Sequence, residues 1–169
     1  MKIDGYTLQQ AVREAKTERD QISQRFTPSL RKFPGEEKSD PRKLARLFVE
    51  VEARIAKLQV AQTLYNMTVK VEVDDKEITL LEAVKRVGGA GRLESMWRSA
   101  AAPQKDRYAY RSEDTRDKDA VVATPQVPFE EAAGLRRSAG RTASALRAAI
   151  QKGNGEQVDL DFDMKGLLG

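Results

Sequence analysis

Between Leu44 and Tyr65 apolar side chains return at alternating steps of four and three: Leu44, Phe48, Val51, Ile55, Leu58 and Tyr65, with Gln62 the one polar member. A 3.5-residue period places these residues along one side of a helix, and a helix with a single apolar side must lay it against another helix. A partner precedes it. Leu8, Val12, Ala15, Ile22 and Phe26 keep the same steps, with Arg19 occupying one position of the seam. The intervening "TPSLRKFPGEEKSDP" (Thr27–Pro41) holds three prolines and a glycine, which turn the chain. The expectation is a helix over about 7–26, a second over 41–66, and coiled-coil-like antiparallel packing between them.

The phrase "DGYTLQQAVRE" (Asp4–Glu14) returns as "DKEITLLEAVKR" (Asp75–Arg86). In each copy a threonine, Thr7 or Thr79, stands three residues before Gln10 or Glu82, the spacing of a capping box. The repeat is therefore read as one helix start used twice. Before the second copy, "TVKVEVDD" (Thr68–Asp75) alternates Val69, Val71 and Val73 with charged residues, the period of a strand. The helix opened at Thr79 then meets "GGAG" (Gly88–Gly91), where a kink or an unusually close second backbone is expected. Residues 103–127 read as a loop or short hairpin. A last helix follows over 128–152, with Pro128 in its first turn and a seam of Phe129, Ala132, Arg136, Ala139, Ala143, Leu146 and Ile150. "GNG" (Gly153–Gly155) is expected to cap it, and a C-terminal strand over 156–164 to turn Asp159, Asp161 and Asp163 outward. The two strands are expected to pair with each other or across a subunit boundary. The fold class is mainly α: one elongated antiparallel helical-hairpin bundle, residues 1–169, with a few short β-strands.

The order of parts resembles the septicolysin-like family of small helical bacterial proteins. The residues that carry the likeness are "ITLLEAV" (Ile78–Val84) as a helix start after a helical hairpin, "RYAYRSE" (Arg107–Glu113), and "AIQKGN" (Ala149–Asn154) at the end of the last helix. The "GGAG" interruption and the Asp-rich tail depart from that pattern. The resemblance implies a fold, not an activity, since the family has no assigned function.

Composition narrows the chemistry. The chain has no cysteine and no histidine, which removes the thiol nucleophile, the commonest general base near neutral pH and the usual zinc and copper ligands. No enzyme activity, metal or cofactor is expected. The candidate motifs reduce to simpler readings. "DLDFD" lacks the glycine and the twelfth-position glutamate of a calcium loop, and "VGGAGR" follows a helix rather than a strand and lacks the P-loop Lys-Ser/Thr. "SLRK" lacks the partner motifs of its enzyme class. Lys and Arg (30) are interleaved with Asp and Glu (26) for a net charge of +4, so nucleic acid is not expected as a partner. No long apolar segment suggests a membrane span, and a cytoplasmic protein is expected.

What remains is a concentration of arginine and aromatic residues. In "RYAYR", Arg107 and Arg111 share one face of an extended chain while Tyr108 and Tyr110 share the other. Arg92, Trp97 and Arg98 repeat the composition just upstream, and Arg136 sits at a seam position. Arginine grips phosphate or carboxylate and aromatic rings stack planar groups. The simpler alternatives are tyrosines covering the bundle and arginines that salt-bridge or extend to solvent, as Arg19 would towards Glu52. Two functions follow as expectations. The first is a non-enzymatic homo-oligomer that holds a small anionic, nucleotide-like ligand through these eight residues. The second is a structural or adaptor module with no small-molecule ligand.

Overall fold

The computed structural model describes residues 2–101 and 126–168. Its elements are β1 (Lys2–Ile3), α1 (Gly5–Ser29), α2 (Pro41–Thr68), β2 (Lys70–Val73), β3 (Lys76–Thr79), α3 (Leu80–Ala100), α4 (Phe129–Asn154) and β4 (Val158–Asp159). The fold is mainly α, with two small antiparallel sheets, β1–β4 and β2–β3. By its contacts the chain forms two compact units, Met1–Ala83 with Ala149–Gly169, and Val84–Ala148.

In the first unit α1 and α2 pair as expected. Arg19 reaches Glu52 at 3.4 Å and Glu18 bonds Arg54, while Gly5 at the start of α1 lies against Tyr65 near the end of α2. Early residues of one helix thus meet late residues of the other, which makes the pair antiparallel. The seam buries Leu8, Val12, Ala15 and Ile22 against Leu44, Val51, Ile55, Leu58 and Tyr65. Arg19 keeps its place in the seam by pairing with Glu52 and, at 2.8 Å, with Asp20.

The repeated phrase does not encode one structure. In the second copy Thr79 caps as expected, its hydroxyl accepting from Glu82 N–H at 3.0 Å. In the first copy the cap is Asp4, whose carboxylate accepts from Thr7 N–H at 2.7 Å, and the helix starts two residues before Thr7. Strand pairing also departs from expectation. Val69, Val71 and Val73 are buried on one face, but β2 pairs with β3 across a tight turn in which Asp74 (φ 51°) and Asp75 (φ 60°) both take left-handed backbone. The C-terminal strand is only Val158–Asp159 and pairs with β1. Leu160, Met164 and Leu167 of the tail beyond it are buried while Asp159, Asp161 and Asp163 stay exposed.

One hydroxyl ties this unit together. Tyr65 is fully buried, and its single phenolic proton faces two carbonyls, Gly153 O at 2.7 Å and Glu156 O at 2.8 Å. The backbone N–H of Gly5 hydrogen-bonds the same phenol oxygen. Asn154, also buried, accepts from Gln9 Nε2 at 3.0 Å, and Tyr6 donates to Gln151 O at 3.0 Å. The N terminus of α1, the last turn of α2 and the C terminus of α4 meet at this point.

Two glycines are required by it. A Cβ on Gly5 would stand 2.6 Å from Asn154 Oδ1 and 2.8 Å from Tyr65 Cε1, and one on Gly153 would stand 2.7 Å from Val71 Cγ1. Gly153 was expected as a cap. The helix does end within "GNG", at Asn154, with Gly155 N–H donating to Lys152 O at 3.0 Å; Gly153 itself lies in the last turn, and its missing side chain is what lets β2 and Leu80 approach.

The "GGAG" stretch is the reverse case. α3 runs as helix through Gly88–Gly91, and no backbone approaches: a Cβ on Gly89 meets nothing within 4 Å, and those on Gly88 and Gly91 meet only arginine side chains at 3.5 and 3.7 Å. In the second unit α4 buries Ala132, Ala139, Ala143 and Leu146, whereas the expected seam members Phe129 and Arg136 are exposed. The expected loop or hairpin over 103–127 lies, except for its last two residues, outside the described residues.

These contacts set opposite signs for glycine substitution. Gly89→Ala is expected to stabilise the protein by up to about 1 kcal/mol through helix propensity, whereas Gly5→Ala and Gly153→Ala are expected to destabilise it by about 1–3 kcal/mol through overpacking. Urea unfolding of the three variants checks this, and a stable Gly153→Ala protein would contradict it.

Tyr65 gives a pH test. Burial lifts its phenol above the ordinary 10.0, more than the Gly5 N–H hydrogen bond lowers it. The folded state therefore holds the proton more tightly than the unfolded one, so this contribution is complete below pH 10.0 and declines as pH rises towards the folded value. Unfolding free energy measured from pH 9 to 11 should fall more steeply for the wild type than for Tyr65→Phe. Equal slopes would contradict the burial argument.

Candidate anion-binding site

The net charge of the chain is not evenly spread. The described residues of the second unit hold eight Lys and Arg against three Asp and Glu, while 102–125 hold five of each. Residues 84–148 therefore carry a net charge of +5 and the rest of the chain −1, for a total of +4. Linear interleaving hides this, because the balance is local in one unit and absent from the other.

Helix geometry gathers four of these charges. Arg136, Arg137, Arg141 and Arg147 of α4 are all exposed. At 100° per residue they fall within an arc of about 140°, and Arg136 and Arg147 lie about 16 Å apart along the axis. Ala132, Ala139, Ala143 and Leu146 occupy the buried arc. None of the four arginines has an ion-pair partner among the described residues, whereas Arg98 is held by Glu94 at 2.7 Å. Glu130 and Glu131 are confined to the first turn of α4, so acidic groups are absent from the stretch that bears the arginines.

On the side of α4 opposite the centre of this face lies a slot of about 220 Å³ lined by Ala90, Leu93 and Trp97 of α3 and by Leu135, Ser138, Ala139 and Thr142 of α4. Arg141 stands about 60° around the helix from Ser138 at its edge. Trp97 is the one tryptophan of the chain and is half-buried. The slot is smaller than the ~300 Å³ at the low end of drug-sized pockets. It offers an apolar wall and two hydroxyls.

The residues singled out from sequence divide accordingly. Trp97 lines the slot, and Arg136 lies on the arginine face. Arg92 and Arg98 are exposed on α3, but Arg92, Trp97 and Arg98 point 100° or more apart around that helix, so it does not bring them to one side. Arg107, Tyr108, Tyr110 and Arg111 lie outside the described residues. Arg137, Arg141 and Arg147 were missed. A helical projection of "LRRSAGRTASALR" (Leu135–Arg147) would have found them, since the intervening residues are small and uncharged.

A larger groove of about 690 Å³ in the first unit, between the β2–β3 hairpin and the end of α4, is lined by Glu72, Asp74, Asp75, Glu77 and Glu156 against Lys70 and Lys152. Its charge repels an anion. Among the described residues no three acidic side chains are placed to hold a metal ion, and no helix is long and apolar enough to cross a membrane.

Comparison with known proteins yields a fold neighbour. No family model matches the chain and no curated protein matches it. A crystal structure of a functionally unknown conserved protein from Corynebacterium diphtheriae superposes with a TM-score of 0.70 at 13% identity, covering 94% of this chain and 100% of that one. At that identity the likeness is one of fold.

Proposed function

We propose that the protein is a non-enzymatic binding protein for a small anionic ligand that carries a planar or apolar group, of the kind a nucleotide presents. The observation that carries this reading is the row of arginines along α4 that have no ion-pair partner among the described residues, with Arg141 about 60° around the helix from Ser138 at the edge of the Trp97 slot. Phosphate oxygens would accept from Arg137 and Arg141, and a planar group reaching around the helix past Ser138 would lie against Trp97. Each charge-assisted bond of this type contributes about 1.5–3 kcal/mol. The concentration of positive charge in residues 84–148 would draw an anion to this unit. Arg107, Tyr108, Tyr110 and Arg111 belong to the same proposal as further ligands from the segment that joins α3 to α4. Homo-oligomerisation and a cytoplasmic location are part of the reading.

Isothermal calorimetry against inorganic pyrophosphate, mononucleotides and cyclic dinucleotides tests it. At least one compound is expected to bind, and Arg137→Ala with Arg141→Ala to weaken it by at least about tenfold. The same pair should leave unfolding free energy within about 0.5 kcal/mol, as befits exposed side chains with no ion-pair partner among the described residues. Undiminished binding by the double variant would overturn the site, and no binding across the panel would overturn the function.

A further inference from the structure

A second apolar stripe runs along α2, opposite the one that packs on α1. Val49, Ala53, Ala56, Val60, Leu64 and Met67 are all exposed, Val49 to 66% and Met67 to 54%. At 100° per residue they fall within an arc of about 80° and span about 27 Å. A surface helix has no need of this. Its buried face is already complete in Leu44, Val51, Ile55, Leu58 and Tyr65.

The stripe has a symmetry that selects its partner. Its centre reads Val49, Ala53, Ala56, Val60, with steps of four, three and four. That order is the same in both directions, which is what an isologous contact between two antiparallel copies of one helix needs. With the two-fold axis between residues 53 and 56, Val49 meets Val60 of the partner subunit and Ala53 meets Ala56 of the partner subunit. The alanines allow the two backbones to come close at the axis.

Charge agrees with the same register. Glu50 and Lys57 are exposed on the same flank of the stripe, and neither has an ion-pair partner among the described residues. Seven residues apart on one helix, they stand about 10 Å from each other and cannot pair within the chain. In the antiparallel register like flanks face each other, so Glu50 meets Lys57 of the partner subunit, twice by symmetry. A parallel arrangement would instead pair Lys57 with Glu52, which Arg19 already holds. The tail residues Lys165–Leu167 line a groove with Glu50, Lys57, Leu47 and Arg54 that reaches the edge of the stripe at Ala53, which stays exposed.

We infer that α2 is the self-association surface of the protein: two copies pair antiparallel about the Val49–Val60 stretch, fixed in register by Glu50 and Lys57. The surface lies in the first unit, so it stands or falls independently of the anion site.

Sedimentation equilibrium of the full chain at about 100 µM tests it, a concentration suited to an interface near the lower size limit of specific complexes. A dimer is expected. Val60→Asp should give a monomer with an unchanged circular dichroism spectrum, since residue 60 is solvent-exposed in the single chain. Glu50→Lys and Lys57→Glu should each weaken the dimer by about tenfold or more, and the double exchange should restore it. A monomeric wild type, or a dimer indifferent to Val60→Asp, would overturn the surface. Rescue of Lys57→Glu by Glu52→Lys rather than by Glu50→Lys would overturn the antiparallel register.

Discussion

The hydroxyl of Tyr65 is where the first unit closes. A helical hairpin such as α1–α2 buries a narrow stripe and has no intrinsic reason to hold the end of a helix, α4, that begins only at Phe129. Burying a phenol supplies that reason, because an unbonded hydroxyl in an apolar interior costs a few kcal/mol. Here the proton is offered to Gly153 and Glu156 carbonyls, and the oxygen accepts from Gly5. The last turn of α4 must be present for the last turn of α2 to be buried. Gly5, Gly153 and the buried Asn154 are the steric and polar conditions of that arrangement.

This dependence separates the parts of the chain that are constrained from those that are free. The first unit spends its polar side chains on itself: Asp4, Gln9, Tyr6 and Gln157 all bond within it, Gln157 to Asp4 at 2.9 Å. Among the described residues the arginines of α4 in the second unit have no ion-pair partner. Four exposed guanidiniums on one helical arc repel one another, a modest cost that structure alone does not repay. An anion would repay it. The same logic applies to the outer stripe of α2, where exposed valines, leucine and methionine contribute nothing to the isolated chain.

Local rules were legible in the sequence and nonlocal ones were not. The α1–α2 seam follows from its period, and the buried valines of β2 follow from theirs. β3 escaped notice because "KEIT" is four residues long and merges with the cap at Thr79. Its turn uses Asp74–Asp75 where a glycine is the usual signal for left-handed backbone. β1 and β4 hold two residues each and are brought together by the Tyr65 contact, so no local pattern announces them. The glycines misled in both directions. "GGAG" stands out in sequence yet no backbone packs against it, while Gly5 looks ordinary and Gly153 looks like a cap, yet both sit where a Cβ would clash. At the site, Trp97 and Arg136 were legible as residue types, but the arginine face needed the helix to be built before its four members came together.

The central claim is that this free charge is a binding site. Chemical-shift mapping of the isotopically labelled protein with pyrophosphate and with the tightest-binding nucleotide tests it most directly. The account requires the largest shifts at the backbone amides of Arg136–Thr142 and, for the nucleotide, at the indole of Trp97. Shifts confined to the α1–α2 unit, or no shifts at millimolar ligand, would contradict it.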